Sequence, residues 1–347
     1  MRFALDQEQQ DMADALRNLL NAADTPRIAR DWAVGDAEAW WKLWRGLAEL
    51  GLTGLTVAQR HGGLGLGPVE LAVCLEECGY AALPGPLVES LAFLPRLLSD
   101  AWLEDLAAGR SIGTAVIADH LPYALDADQA DAVFHCDSTV RRLGGIRLRR
   151  QESFDPTRRL FRVDHSASAL VSGDFDAAFD EGVLGCASYL LGLGRRLLDT
   201  STEYVKQRHQ FGRPVGEFQA VKHHLANVAL KLEFARPLIR GACLSMADDV
   251  PWRFRDVSAA KIAAGDAAYA AARTALQVHG AIGYTAEHDL HLWLTKATAL
   301  RSAWGTPAWH RRRVAAALAT DTTTPIGAAS GAGGADFARN RRHSAAG

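Results

Sequence analysis

The chain has 347 residues, 48% of them hydrophobic and 22% charged, enough apolar material to bury a core in two or three subdomains. Its formal net charge of −2 argues against general attraction to nucleic acid or an anionic membrane surface, since little counterion would be released on contact. No run stays apolar long enough to cross a bilayer, and the start, MRFALDQEQQDMADALRN, lacks a basic segment leading into an apolar one, so a globular cytoplasmic protein is expected.

From Leu5 to about Ser99 the pattern is helical. WWKLWRGLAELGLTG ends in glycine as a helix C-cap does, and GPVELAVCLEECGYA follows the turn-rich HGGLGLGP. The GGLGLG run does not have the G-x-G-x-x-G spacing of a dinucleotide fingerprint and lies between helical patterns, so it is set aside. Between about Gly113 and Gly173 the texture changes to short runs, TAVIA, AVFHC, IRLRR, LFRVDH and SALVSG, broken by Asp, Gly, Ser and Pro, which read as strands.

Helix returns from Leu184. Phe218, Val221, Leu225, Val228, Leu232 and Ala235 are spaced three and four apart on one stripe, and Pro237 is expected to kink or interrupt their helix. The segment VSAAKIAAGDAAYAAARTALQVHG has small residues that allow a close neighbour, and a last pair of helices flanks a break at Trp304. The tail from 321 to 347, rich in Gly and Ala, reads as disordered. The order helices, strands, helices suggests a final bundle.

Five scattered cysteines, Cys74, Cys78, Cys136, Cys186 and Cys243, form no CxxC pair and read as small buried hydrophobes in a reducing compartment. Two breaks between helices hold the polar residues of interest. RHQFGRPVGEFQ, Arg208 to Gln219, combines a cation, an aromatic ring, a glycine turn and a Gln just before a long helix, which suits a pyrophosphate. Taken alone, it equally fits an ordinary turn with a solvated arginine. In QVHGAIGYTAEHDLHLWL, Gly280 ends a helix, Gly283 allows close backbone approach, and Thr285 and Glu287 fit the start of the next. His288 and His291 are three apart, but no third ligand of suitable spacing accompanies them, so no metal is expected.

The two breaks, in this order, resemble the acyl-CoA dehydrogenase family, and the resemblance runs from Leu5 to about Ala317. It implies a mainly α fold with a small β domain: an N-terminal helical domain (1–110), a middle β domain (111–175) and a C-terminal four-helix bundle (176–320), assembled as a dimer or a dimer of dimers with FAD between subunits. It further implies that Arg208, Gln210 and Phe211, with Gln219 nearby, hold the pyrophosphate and adenine side of a neighbour's FAD. The resemblance also implies that Gln277, Gly280 and Gly283 contact the dinucleotide from the second break, where Ala281 replaces the second glycine of the usual pair, and that Thr306 joins the cofactor-facing set.

The family's reaction is α,β-desaturation of an acyl thioester carried by coenzyme A or an acyl carrier. It needs a base for the weakly acidic α-proton, and electron-transfer flavoprotein is a possible electron acceptor. Where that base, the Glu of a Tyr-Glu-Gly-Thr stretch, is expected, this chain has Ala303-Trp304-Gly305-Thr306, and an indole cannot accept a proton. Some members place the base at the start of the bundle; Gly182 occupies that position here and Glu181 is the adjacent carboxylate. The middle segment GTAVIADHLPYALDADQADAVF lacks the Tyr-x-x-Thr-Glu and Gly-Ser-Asp stretches by which the family grips its own flavin ring. Two expectations follow. One is a base-lacking subunit of a heteromer, as in actinobacterial breakdown of steroid side chains, completing FAD sites on a homologous chain. The other is a self-sufficient homo-oligomer using Glu181 as base.

Overall fold

The computed structural model describes residues 4–99, 101–285 and 288–321. The tail beyond 321 and Glu287, on which two of the expectations above rest, lie outside them.

Helices α1 (Gln7–Ala22), α2 (Thr25–Val34), α3 (Glu38–Glu49) and α4 (Pro68–Tyr80) come first. Asp6 caps α1 by accepting from the Gln9 amide at 2.9 Å while Gln9 reaches back to the Asp6 amide, and Gly51, at φ +84°, follows the C-cap of α3 as the sequence suggests. A π-helical turn over Glu89–Phe93 runs directly into α5 (Leu94–Leu97), and α6 (Trp102–Ala107) closes this part.

The strands form two sheets. β1 (Gly113–Ile117), β3 (Ala132–Cys136), β4 (Val140–Gly144) and β7 (Ala167–Val171) lie in the order β1-β3-β4-β7, parallel only between β1 and β3. β2 (Ala124–Leu125), β5 (Arg147–Gln151) and β6 (Leu160–Asp164) form an antiparallel sheet in the order β2-β6-β5. Val133, Phe161 and Ala124 make the small core of this region. β4, VRRLG, escapes the sequence reading because its two adjacent arginines leave no apolar run; only Val140 is buried and the other four residues are half-buried.

The bundle consists of α7 (Phe175–Gln207), α8 (Gln219–Ala247), α9 (Arg253–His279), α10 (Leu290–Ser302) and α11 (Pro307–Asp321), with the hairpin β8 (His209–Gln210) and β9 (Arg213–Pro214) between α7 and α8. α8 is continuous through Pro237, contrary to the expected interruption. Val228, Leu232, Ala235 and Ile239 anchor its other face in the core, while Pro237 and Glu233, whose carbonyl loses its donor, face solvent. α10 starts at Leu290, later than Thr285, because Gly280–Tyr284 forms a separate 3-10 turn.

α7 is the central rod, and α4 crosses it closely. A methyl group on Gly192 would overlap the carbonyl oxygen of Glu76, and one on Gly79 that of Tyr189. Three regions meet in buried polar contacts: Trp32 Nε1–H donates to Asp126 at 3.0 Å, Arg159 pairs with Asp126 and Asp128, and Lys296 of α10 reaches Thr157 at 2.6 Å and Asp155 at 3.2 Å. Burial pushes the Asp126 carboxyl up to about 7 despite Arg159. Because the obstruction at the crossing is backbone, Gly192→Ala is expected to cost about 2–3 kcal/mol, read as a lowered denaturation midpoint at unchanged m-value.

Candidate active and cofactor site

The residues singled out in the sequence collect at the two ends of α7. At its N-terminal end, Trp304 is 1% exposed and its indole fills the space above Gly182; a Cβ on Gly182 would penetrate the six-membered ring. The two positions at which the family resemblance locates a base thus face each other, and neither carries a carboxylate. Trp304 has φ +59°, a conformation unfavourable for a bulky residue, and Gly305 follows at +101°. His310 holds the turn: its Nε2–H donates to the Trp304 carbonyl at 2.9 Å, so its Nδ1 accepts from the Ser258 hydroxyl at 3.1 Å. Burial pushes His310 down to about 3, so it is neutral in this role.

Phe93 and Phe179 pack on the indole with ring centres 5.5 and 5.8 Å away, and Phe175 and Trp309 extend the cluster. Thr306 accepts from the Trp309 amide at 3.2 Å, so its hydroxyl is engaged as the N-cap of α11, with Pro307 in the first helical position.

A cavity of about 30 Å³ remains beside Trp304, lined by Leu83, Glu89, Arg158, Tyr189 and Lys296 among others. It has room for about one or two waters and none for an acyl chain. Glu89, missed in the sequence, is a buried carboxyl facing this cavity, and burial pushes it up to about 7. Its signal was a lone acid in the apolar run PLVESLAFL.

Glu181 does not line the cavity. Its carboxylate lies 3.8 Å from Arg96 Nε, and burial, only partly offset by Arg96, pushes it up to about 7.

At the other end of α7 the two breaks come together. Tyr204, in the last turn of α7, stacks on His279, the last residue of α9, with ring centres 4.2 Å apart at 24°. Arg208, Gln210, Gln219, Gln277 and Gly280 are all exposed around this end. The Arg208 guanidinium has no carboxylate or hydrogen-bond partner among the described residues, in contrast to Arg213, which lies over the Phe218 ring. Phe211, 90% exposed at φ +52°, stands at the hairpin tip beside Gly212. Gly280, at φ +63° and ψ −138°, has a conformation open only to glycine, and a Cβ there would meet nothing, whereas Gly283 is packed against Leu276 and His279.

A free cation, an exposed ring and open glycine backbone fit a pyrophosphate with an attached aromatic base arriving from outside the chain. From Gly182 to Gln207 the helix rises about 37 Å, so Thr306 and Arg208 serve different places.

The histidine pair is engaged with nearby backbone. His288 precedes α10 and accepts from the Leu290 amide at 3.1 Å, His291 donates to the His288 carbonyl at 2.9 Å, and no group of three or more potential ligands occurs among the described residues. All five cysteines are buried and unbridged.

Glu181 gives a pH signature. Its folded pKa lies above the unfolded value of 4.5, so its contribution to stability is full below pH 4.5 and is lost as pH rises through about 7. Glu181→Gln is expected to flatten that fall and to raise stability at pH 8 by on the order of 1 kcal/mol relative to the parent, measured by urea unfolding at pH 5 and pH 8.

Known proteins share the sequence pattern and the fold of this chain. The family models for the acyl-CoA dehydrogenase N-terminal and C-terminal domains match residues 6–98 and 175–319. Acyl-CoA dehydrogenase IpdE2 of Mycobacterium tuberculosis is 31% identical over 298 residues, 84% of this chain and 91% of that protein. Among solved structures, the ChsE4-ChsE5 complex from Mycobacterium tuberculosis superposes with a TM-score of 0.80 at 22% identity over 92% of this chain and 99% of that one, and the Tcur3481-Tcur3483 steroid ACAD with 0.82 at 20% over 91% and 99%. No helix among the described residues is long and apolar enough to cross a membrane. The chain belongs to the acyl-CoA dehydrogenase family, whose members are FAD-dependent oxidoreductases.

Proposed function

We propose that this chain is the base-lacking subunit of a heteromeric, cytoplasmic acyl-CoA dehydrogenase that desaturates a fatty acyl or steroid side-chain thioester. The observation that carries this reading is the Trp304 indole seated on Gly182, which leaves both family base positions without a carboxylate and about 30 Å³ where an acyl chain would lie. A homologous dehydrogenase chain supplies the base and the acyl pocket.

The chain's own contribution is binding and orientation. Arg208 neutralises the FAD pyrophosphate, Phe211 offers a face to the adenine, Gln210, Gln219 and Gln277 add hydrogen bonds, and Gly280 allows close backbone approach. Bound FAD supplies the hydride acceptor. The partner has an apolar surface to cover: Leu230, Phe234 and Leu238 of α8 are 55%, 72% and 44% exposed on one stripe, opposite its buried one. The assemblies named ChsE4-ChsE5 and Tcur3481-Tcur3483 support a heteromer, and the latter's description as a steroid ACAD supports the substrate class. Electron-transfer flavoprotein is the natural electron acceptor.

The test is the FAD-to-protein ratio of the purified chain, alone and co-expressed with a homologous dehydrogenase chain. The expected result is little FAD alone and a yellow, active complex with the partner. A yellow, active protein made alone would overturn the proposal. In the complex, Arg208→Ala is expected to weaken FAD retention about tenfold or more with unchanged fold, read by flavin absorbance after dialysis. Trp304→Glu alone is expected to yield no turnover, because the acyl pocket and the middle-domain contacts are also missing; robust turnover by that variant would show that only a base was lacking.

A further inference from the structure

The two breaks assigned to the flavin both leave from helix ends, and helix ends fray because their last carbonyls have no donor in a following turn. Arg208 is the C-cap of α7 and Gly280 the C-cap of α9. The two helices run in the same direction. Asp180, near the start of α7, lies 3.6 Å from Arg253 at the start of α9, and Tyr204 meets His279 where both helices end. The contact at that end therefore sets how Arg208 and Gly280 stand relative to each other.

Each break is tied to one of the two rings. The Tyr204 carbonyl accepts from the Arg208 amide at 2.9 Å, and the Arg208 carbonyl accepts from the Val215 amide at 2.8 Å, so the backbone of Arg208 is held between α7 and the far side of the β8–β9 hairpin. On the other helix His279 directly precedes Gly280, whose amide donates to the Leu276 carbonyl. Gly283 packs close behind: a Cβ there would lie 3.2 Å from the His279 Cβ. Tyr204 and His279 stack with ring centres 4.2 Å apart and planes at 24°, and His288 meets the imidazole edge-on at 5.1 Å.

His279 acts here through its ring face. It is 4% exposed, its Nδ1–H donates to the Ala275 carbonyl of its own helix at 2.8 Å, and its Nε2 is buried without a hydrogen-bond partner among the described residues. Burial lowers its pKa, so the ring stacks in its neutral form. Its one hydrogen bond reaches nothing beyond α9, which leaves the stack on Tyr204 as its link to α7. We infer that the Tyr204–His279 stack is a clasp that fixes the relative placement of the two breaks, and that Tyr204 and His279 are positioning residues for Arg208 and Gly280. The inference rests on the flavin reading proposed above. By ordering both breaks before the pyrophosphate arrives, the clasp removes an ordering cost from FAD binding.

The test is the Kd for FAD of the complex with the homologous dehydrogenase chain, read by flavin fluorescence. Tyr204→Leu keeps apolar bulk without the ring and is expected to weaken FAD binding about 3- to 10-fold. Tyr204→Phe and His279→Phe keep the stack and are expected to bind FAD within about twofold of the parent. A purely structural defect would multiply with the loss caused by Arg208→Ala. A defect that acts by misplacing Arg208 does not, so the Tyr204→Leu/Arg208→Ala pair is expected to lose less than the product of the single losses. If Tyr204→Leu fails to fold, His279→Gln removes the other ring and carries the same expectations. Parent-like FAD binding by either folded ring-less variant, Phe variants no better than the ring-less ones, or full multiplication in the double variant would overturn the inference. Provided Arg208→Ala alone weakens binding, those outcomes leave the flavin reading standing. Parent-like binding by Arg208→Ala overturns both.

Discussion

The packing of the Trp304 indole into the space above Gly182 governs one whole end of the bundle. The indole can lie there only because residue 182 has no side chain, and it reaches there only because Trp304 and Gly305 take left-handed conformations before α11 begins. The strain at Trp304 is held by His310, itself fixed on Ser258 of α9, and by burial of a large aromatic surface against Phe93 and Phe179. The two positions are therefore coupled. A carboxylate at 182 would collide with the ring, and one at 304 would stand buried among aromatic rings, where its ionised form is strongly disfavoured.

The opposite end of α7 has the reverse character. There the chain leaves an unpaired arginine, a 90% exposed phenylalanine and open glycine backbone facing outward. Because one continuous helix of 33 residues separates the filled end from the open one, both conditions are imposed on a single rod. An isolated chain gains nothing by exposing a ring as large as that of Phe211.

Much of this was legible in the sequence, and the rest was hidden for physical reasons. The helical zones, the strands at AVFHC and LFRVDH and both breaks carry strong periodicity or punctuation, and Gly280 ends α9 where its position suggests. Trp304 stood out because an indole in a turn between helices is unusual. The strand over Val140–Gly144 was obscured by Arg141 and Arg142, and the continuity of α8 through Pro237 depends on packing that no local rule contains. The proximity of Gly182 and Trp304, 122 positions apart in the chain, appears only once α7 and the loop between α10 and α11 are placed together. Glu89 and the salt-bridged Lys296 were hidden among apolar neighbours, because a buried charge announces itself by its partner, and the partner is distant in sequence.

Three buried carboxyls, Glu89, Asp126 and Glu181, are raised to about 7, the range suited to a general base, yet the pKa alone assigns none of them that role. Asp126 is bound between Trp32 and Arg159 at a junction of three regions. Glu181 faces Arg96 and lies outside the cavity beside Trp304. Glu89 faces that cavity, whose volume of about 30 Å³ is the size of one or two waters. A base requires a proton within hydrogen-bond reach in a plausible substrate pose, and that geometric condition precedes the pKa. In this chain desolvation raises all three carboxyls because each is buried, so the shift by itself reports burial and not a catalytic role.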